Sequence, residues 1–217
     1  MVERLSGVRP MVVPNGCRPV DKPTPPPADG PLLFVGHMPY PPNEDGMVSF
    51  VHDVWPTLCE AMPDLRLRIV GETTPAVEAL RGTPGVEVPR RPDDLAPDWA
   101  GALALVNAVR FGSGSSRKVL DAWAAGRPVI STSAGACELR VAEGEQWLRA
   151  DDAAAWVRQV RALGAPSGVS ARVAGQVWAR AKEHFDSHVL WQGAFDGLGL
   201  TPPATAVPRL ASPPAGL

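Results

Sequence analysis

The chain has 217 residues, 45% of them hydrophobic, and a formal net charge of -2, enough for one domain with a real core plus appendages. No basic excess points to a nucleic-acid partner, and no acidic excess to a solvated tail. The three cysteines, Cys17, Cys59 and Cys137, are too scattered for a disulfide framework or a zinc site and fit a reducing compartment. The longest apolar runs are too short to span a bilayer, and the first residues lack the apolar stretch of a signal peptide, so the expectation is a soluble, cytoplasmic protein.

The 25 prolines are unevenly spread. One cluster, KPTPPPADGP, ends at Pro31, and another fills the chain after Thr201. Both read as segments without a periodic apolar face. The expected organisation is therefore a lead-in with a Pro-rich linker over residues 1–30, a compact domain over 31–200 and a disordered tail over 201–217. Within the domain, Leu32–Gly36 reads as a buried strand. Asn43 is placed to cap the helix that follows, whose Met47, Phe50, Val51 and Val54 recur at helical spacing. Strands are expected at Leu65–Val70, Val86–Val88, Ala102–Val106, Pro128–Ser131 and Trp147–Leu148. Helices are expected at Pro75–Leu80, Leu95–Ala100 and Arg117–Ala125, the last stopped by Gly126. Helices at Asp152–Leu163, Val169–Phe185 and Ser187–Leu198 follow without intervening strands. Alternating strands and helices with short connections predict an α/β fold, a doubly wound parallel sheet with extra C-terminal helices.

In such a sheet, ligands bind at the carboxyl ends of the strands, and three loops there carry candidate chemistry. The first, FGSGSSRK, runs from Phe111 into a helix. Gly112 and Gly114 permit close backbone approach, and Ser113, Ser115 and Ser116 offer hydroxyls. The free amides at the helix start form an anion site. Arg117 and Lys118 add cations where only an anion makes them favourable, and Asp121, one turn on, is suited to ribose hydroxyls. The alternative is an ordinary helix cap with two solvated cations. The sequence matches neither the Walker pattern nor the GxGxxG fingerprint. The second loop, Val35–Gly46, places His37 at a strand end, where it either contacts a phosphate or sugar hydroxyl or is merely exposed. The third, Ser131–Leu139, has Gly135 for a tight approach, or is a plain surface turn. The seven tryptophans are read as core residues. His184 and His188, at helix-face spacing but with no carboxylate motif, are read as exposed.

Five segments occur in an order that resembles the retaining GT-B glycosyltransferases of the bacterial "group 1" family, in the branch serving polysaccharide assembly. They are VVPNG (Val12–Gly16), FVGHMPYPPNEDG, LRIVGE (Leu67–Glu72), RKVLDAWAAGRPVIST and EGEQWLRADD (Glu143–Asp152). The resemblance spans Met11 to about Leu198 and implies a Rossmann-like C-terminal half, with Val12–Gly16 at the hinge between halves. It implies that Gly36 and His37 border the donor diphosphate, and that Gly114, Ser115, Ser116, Arg117 and Lys118 hold its phosphates. It further implies that Asp121 binds the ribose, that Pro89 and Arg90 run beside the nucleobase, and that Ser113, Gly135 and Glu138 lie near the donor sugar. The sequence departs from the family where His37 replaces an Arg, Ser113 replaces the first glutamate and Asp121 the second.

The implied activity is transfer of a sugar from a nucleoside diphosphate sugar, UDP- or GDP-linked, to a glycan or lipid-linked acceptor, with retention and with no metal or other cofactor. No catalytic base is assignable. The acceptor half is expected from a separate N-terminal half on another chain or from a longer protein of which this is a fragment; where it is absent, the face it would cover is expected to lead to self-association. The alternative is a non-catalytic nucleotide-sugar-binding or scaffold module derived from a transferase.

Overall fold

The computed structural model describes Gly7 and residues 11–112, 117–136 and 147–201. Its centre is a parallel six-stranded sheet in the order β3-β2-β1-β4-β5-β6. The strands are β1 (Leu32–Val35), β2 (Leu67–Val70), β3 (Val86–Glu87), β4 (Ala104–Asn107), β5 (Val129–Ser131) and β6 (Leu148–Arg149). Strands covered on both faces read as continuous apolar runs rather than alternating ones, and every residue of β4 is buried. The chain winds outward from β1 through β2 to β3, then returns to β4 and winds the other way. The switch point of this doubly wound sheet therefore lies between β1 and β4.

The pleat sorts side chains into two cores. Leu32, Phe34, Leu67, Ile69, Val106 and Ile130 face one layer. It is built from α1 (Pro41–Ser49), a π-helical segment (Phe50–Val54), α2 (Trp55–Ala61) and α7 (Ala153–Gly164). Leu33, Val70, Leu105 and Val129 face the other, which contains α4 (Ala96–Gly101), α5 (Arg117–Ala124) and α8 (Val169–His184). The short helices α3 (Pro75–Glu78) and α6 (Ser133–Ala136) complete the connections, and α9 (Ser187–Gly197) follows α8. Among the described residues, no helix is long and apolar enough to cross a membrane.

The lead-in packs along the second layer. Cys17 pairs with the α8–α9 connection: its amide donates to the Phe185 carbonyl at 2.7 Å, and its own carbonyl accepts from the Ser187 amide at 2.9 Å. Arg127, almost wholly buried, donates to the Thr24 carbonyl and hydroxyl at 3.0 and 2.7 Å. Gly126 closes α5 at φ +67°, and a Cβ there would lie 2.4 Å from Pro23.

Two sequence expectations change. The first helix begins at Pro41, with Tyr40 at its boundary and no side-chain cap, so Asn43 is not the cap. Proline needs no amide partner and holds a helical φ, which favours the first turn, and Pro41–Pro42 therefore start the helix three residues earlier than a cap at Asn43 would. Trp191 is 52% exposed, whereas Trp55, Trp99, Trp123, Trp147 and Trp156 are buried as core residues. His184 and His188 are exposed, as the sequence suggested.

Candidate functional site

The β1 and β2 strands end in the same way. Val35 pairs with Val70, so Gly36 and Gly71 follow side by side, and parallel pairing continues past them. The Gly36 amide donates to the Val70 carbonyl at 3.0 Å, and the Met38 amide to the Glu72 carbonyl at 2.9 Å. Both glycines are required. A Cβ at Gly71, whose φ is +143°, would sit 1.8 Å from the Gly36 oxygen, and one at Gly36 would meet Phe34 at 2.9 Å and Asn43 Nδ2 at 3.1 Å. The same register sets His37 beside Glu72, Nδ1 to Oε2 at 3.2 Å, with both side chains about half exposed.

Across the switch point stands Lys118. It rises from α5 in the second layer and passes over the carboxyl edge of the sheet to Phe34 of the first. Its Nζ lies 4.3 Å from the Phe34 ring centroid and donates to Asn43 Oδ1 at 2.6 Å. Asn43 is itself buried, and its Nδ2 donates to the His37 carbonyl at 2.9 Å. Burial pushes the Lys118 amine down from 10.5 to about 7, since removing an ammonium from water disfavours its charged form. A lysine held in this way, with a neutral amide as its hydrogen-bond acceptor, suits an anion that supplies the missing charge.

The comparisons with known proteins agree with this geometry. Residues 30–165, more than half of the chain, match the family of group 1 glycosyl transferases. The chain belongs to the group 1 glycosyl transferases. It is 25% identical over 174 residues to an uncharacterized 44.6 kDa protein in the cps region of Klebsiella pneumoniae, covering 76% of this chain and 45% of that one. HepE of Anabaena, solved in complex with UDP and glucose, superimposes with a TM-score of 0.64 at 15% identity, over 78% of this chain and 48% of HepE. Sucrose-phosphate synthase of Thermosynechococcus elongatus does so with a TM-score of 0.66 at 18% identity, over 91% and 55%. The chain thus spans about half the length of these relatives, and its fold is that of the C-terminal-type half of a GT-B glycosyltransferase.

Within this transferase half, the residues expected at the site divide. Gly36, His37 and Lys118 converge on the switch point. Arg117 does not: its side chain is 68% exposed and lies 3.9 Å from Asp121 on the same helix. Asp121 keeps company with Arg117 rather than Lys118, and burial pushes its carboxyl up. It lies near enough to Cys17 that its charge, after burial, helps push that thiol to about 12. Pro89 and exposed Arg90 follow β3 on the outer side of β2. Gly135 packs inward, where a Cβ would meet Asn107 Nδ2 at 2.7 Å and Ser131 Oγ at 2.8 Å. Ser113, Gly114, Ser115, Ser116 and Glu138 lie outside the described residues. The entrance to their loop, Gly112, has φ +127° and lies against Tyr40 and Pro42, so the loops after β1 and β4 meet there.

Sequence reasoning missed Asn43 as a site residue, and it missed Gly71. The second was findable, because FVGH and IVGE are matching strand ends. It also missed the pair Asp45–Arg110, bidentate at 2.8 and 2.5 Å, which ties α1 to the segment after β4. Beyond that pair a cavity of about 420 Å³ opens on the first-layer side, between the π-helical segment, α7 and the ends of β4 and β5. Among the described residues, no group of three His, Cys, Asp or Glu is placed to hold a metal ion.

Proposed function

We propose that this half holds a nucleoside diphosphate sugar, UDP- or GDP-linked, with its diphosphate at the β1/β4 switch point. The enzyme it belongs to then passes the sugar to a glycan or lipid-linked acceptor, with retention of configuration, in polysaccharide assembly. The observation that carries the reading is Lys118, whose ammonium is fixed at the switch point by the neutral Asn43 amide. Glycosyl transfer releases a diphosphate whose charge grows as the bond to the sugar breaks. A cation preorganised in a dry site stabilises that charge without reorganising at the moment of reaction. Gly36 lets the backbone come close, and the amides at the start of α5 would add donors with the favourable end of the helix dipole. Lys118 on the chain itself fills the role a metal would otherwise have. HepE, of similar fold, is described with UDP and glucose, and the likeness to a cps-region protein supports the assembly role.

The acceptor site and the groups that handle protons belong to a second α/β half, in the same polypeptide or in a partner. Surface for such a half exists along α9, where Trp191 and Leu198 are exposed, and on neighbouring Met11 and Val12. Calorimetry with UDP-glucose and GDP-mannose tests the donor reading. Saturable binding of one of them, lost in Lys118→Ala, is the expected result. A folded wild-type protein that binds neither refutes it.

A further inference from the structure

Asn43 is the third residue of α1, and it is buried although amides of this kind prefer water. Its two polar atoms serve two different loops. Nδ2 donates to the His37 carbonyl at 2.9 Å, after β1, and Oδ1 accepts from Lys118 Nζ at 2.6 Å, on α5. An amide oxygen is a neutral acceptor, so this bond orients the ammonium without cancelling its charge. A carboxylate in its place would form an ion pair and leave the lysine electrically quiet toward an incoming anion. The Phe34 ring face adds a second attraction that also leaves the charge in place.

The titratable and charged groups on the neighbouring elements are engaged with one another. His37 after β1 pairs with Glu72 after β2, Asp45 on α1 pairs with Arg110 after β4, and Arg117 and Asp121 lie together on α5 itself. Asp45 is held below its ordinary range by its hydrogen bond from Arg110.

We propose that Asn43 is a positioning residue for phosphate recognition, holding the Lys118 ammonium at the β1/β4 switch point uncompensated, so that a bound diphosphate is the anion that completes it. This rests on the reading that the switch point takes a nucleoside diphosphate. The Lys118 amine, pushed down to about 7 by burial, fits the assignment. Without an anion it gives up its proton near neutrality, and a bound diphosphate holds the proton on.

UDP-glucose and GDP-mannose are the probes, because a diphosphate diester has no ionisation of its own near neutral pH. Calorimetry of the wild type from about pH 6 to about pH 9 is expected to show binding weakening by up to about tenfold per pH unit once the amine is neutral. Asn43→Asp keeps the lysine charged across that range, so the profile flattens, and affinity at the acid end falls by at least about tenfold. Asn43→Ala frees the ammonium to move into water. The profile flattens there too, with a smaller loss at the acid end.

A second measurement needs no ligand. The chain has three lysines, Lys22, Lys118 and Lys182, so heteronuclear NMR resolves the Lys118 titration directly. Its midpoint is expected near 7 in the wild type and well above that in both variants. A purely structural Asn43 would lower affinity and leave both the pH profile and the Lys118 midpoint where they were, and that result overturns the assignment. A wild type that binds neither probe overturns the diphosphate reading, and this inference with it. Wild-type binding whose profile is unmoved by either variant overturns the role of Asn43 alone.

Discussion

Lys118→Met separates the cost of the site from its use. In the folded chain the amine is pushed from 10.5 to about 7, and at 1.36 kcal/mol per pH unit that disfavours the charged form by about 5 kcal/mol. Methionine keeps the stem over Phe34 and adds a favourable sulfur–aromatic contact, but leaves Asn43 Oδ1 without its donor, a loss of about 1–2 kcal/mol. The pH dependence follows from proton counting. Between about 7 and 10.5 the unfolded lysine is protonated and the folded one is not, so wild-type stability rises with pH across that window. Below it both states carry the proton and the full penalty applies. Lys118→Met is therefore expected to be more stable than wild type by about 3 kcal/mol near pH 6, and less stable by about 1 kcal/mol near pH 10. Urea denaturation of both proteins at the two pH values measures the difference, and other titrating groups cancel in it. Nucleotide-sugar binding should be lost in the variant at every pH. A stability difference that does not change with pH means that Lys118 titrates as it does in water, and that burial at the switch point does not hold its amine down.

Gly71→Ala places a methyl 1.8 Å from the Gly36 oxygen at a φ of +143°, so the two strand ends must separate. The expected loss is about 2–3 kcal/mol, with weakened binding of UDP-glucose; a variant that keeps both its melting temperature and its affinity contradicts the paired-glycine argument. Cys17 is pushed up from 9.0 to about 12, so an unfolded chain releases this proton before the folded one does. Stability should fall as pH rises from about 9, and Cys17→Ala should remove part of that fall, as read by alkaline urea denaturation.

The sheet was legible because strands buried on both faces announce themselves as apolar runs. Leu32–Val35 and Ala104–Asn107 lie within or beside the expected segments, and the alternation of strands and helices pointed to a doubly wound parallel sheet, whereas the strand order that puts the switch point between β1 and β4 is a tertiary fact. The start of the first helix was misplaced because Asn43 has the chemistry of a cap, while Pro41–Pro42 carried the stronger geometric signal. Adjacent cations looked equivalent in the sequence, yet successive residues on an α-helix point about 100° apart. Lys118 therefore turns over the sheet edge, and Arg117 turns outward to Asp121. Trp191 was indistinguishable by composition from Trp123 and Trp156. Which aromatic faces the core depends on which helix faces find neighbours, and that is a tertiary fact.

Parallel register does for this site what a motif cannot do alone. Because Val35 stands opposite Val70, one spacing rule brings Gly36 against Gly71 and His37 against Glu72, from segments that share no continuous sequence. The Asn43–Lys118 bond then joins residues 75 positions apart, linking the strand on one side of the switch point to the helix that leaves the other. Neither side chain has reason to be where it is without its partner. The buried amide would lose the donor to its Oδ1, and the lysine would lose the acceptor that keeps its ammonium over Phe34 rather than in water. Such a pair is held by the register of the sheet rather than by local propensity. A change that shifts β1 against β4 by one residue therefore removes the anion site even when every residue of it is kept.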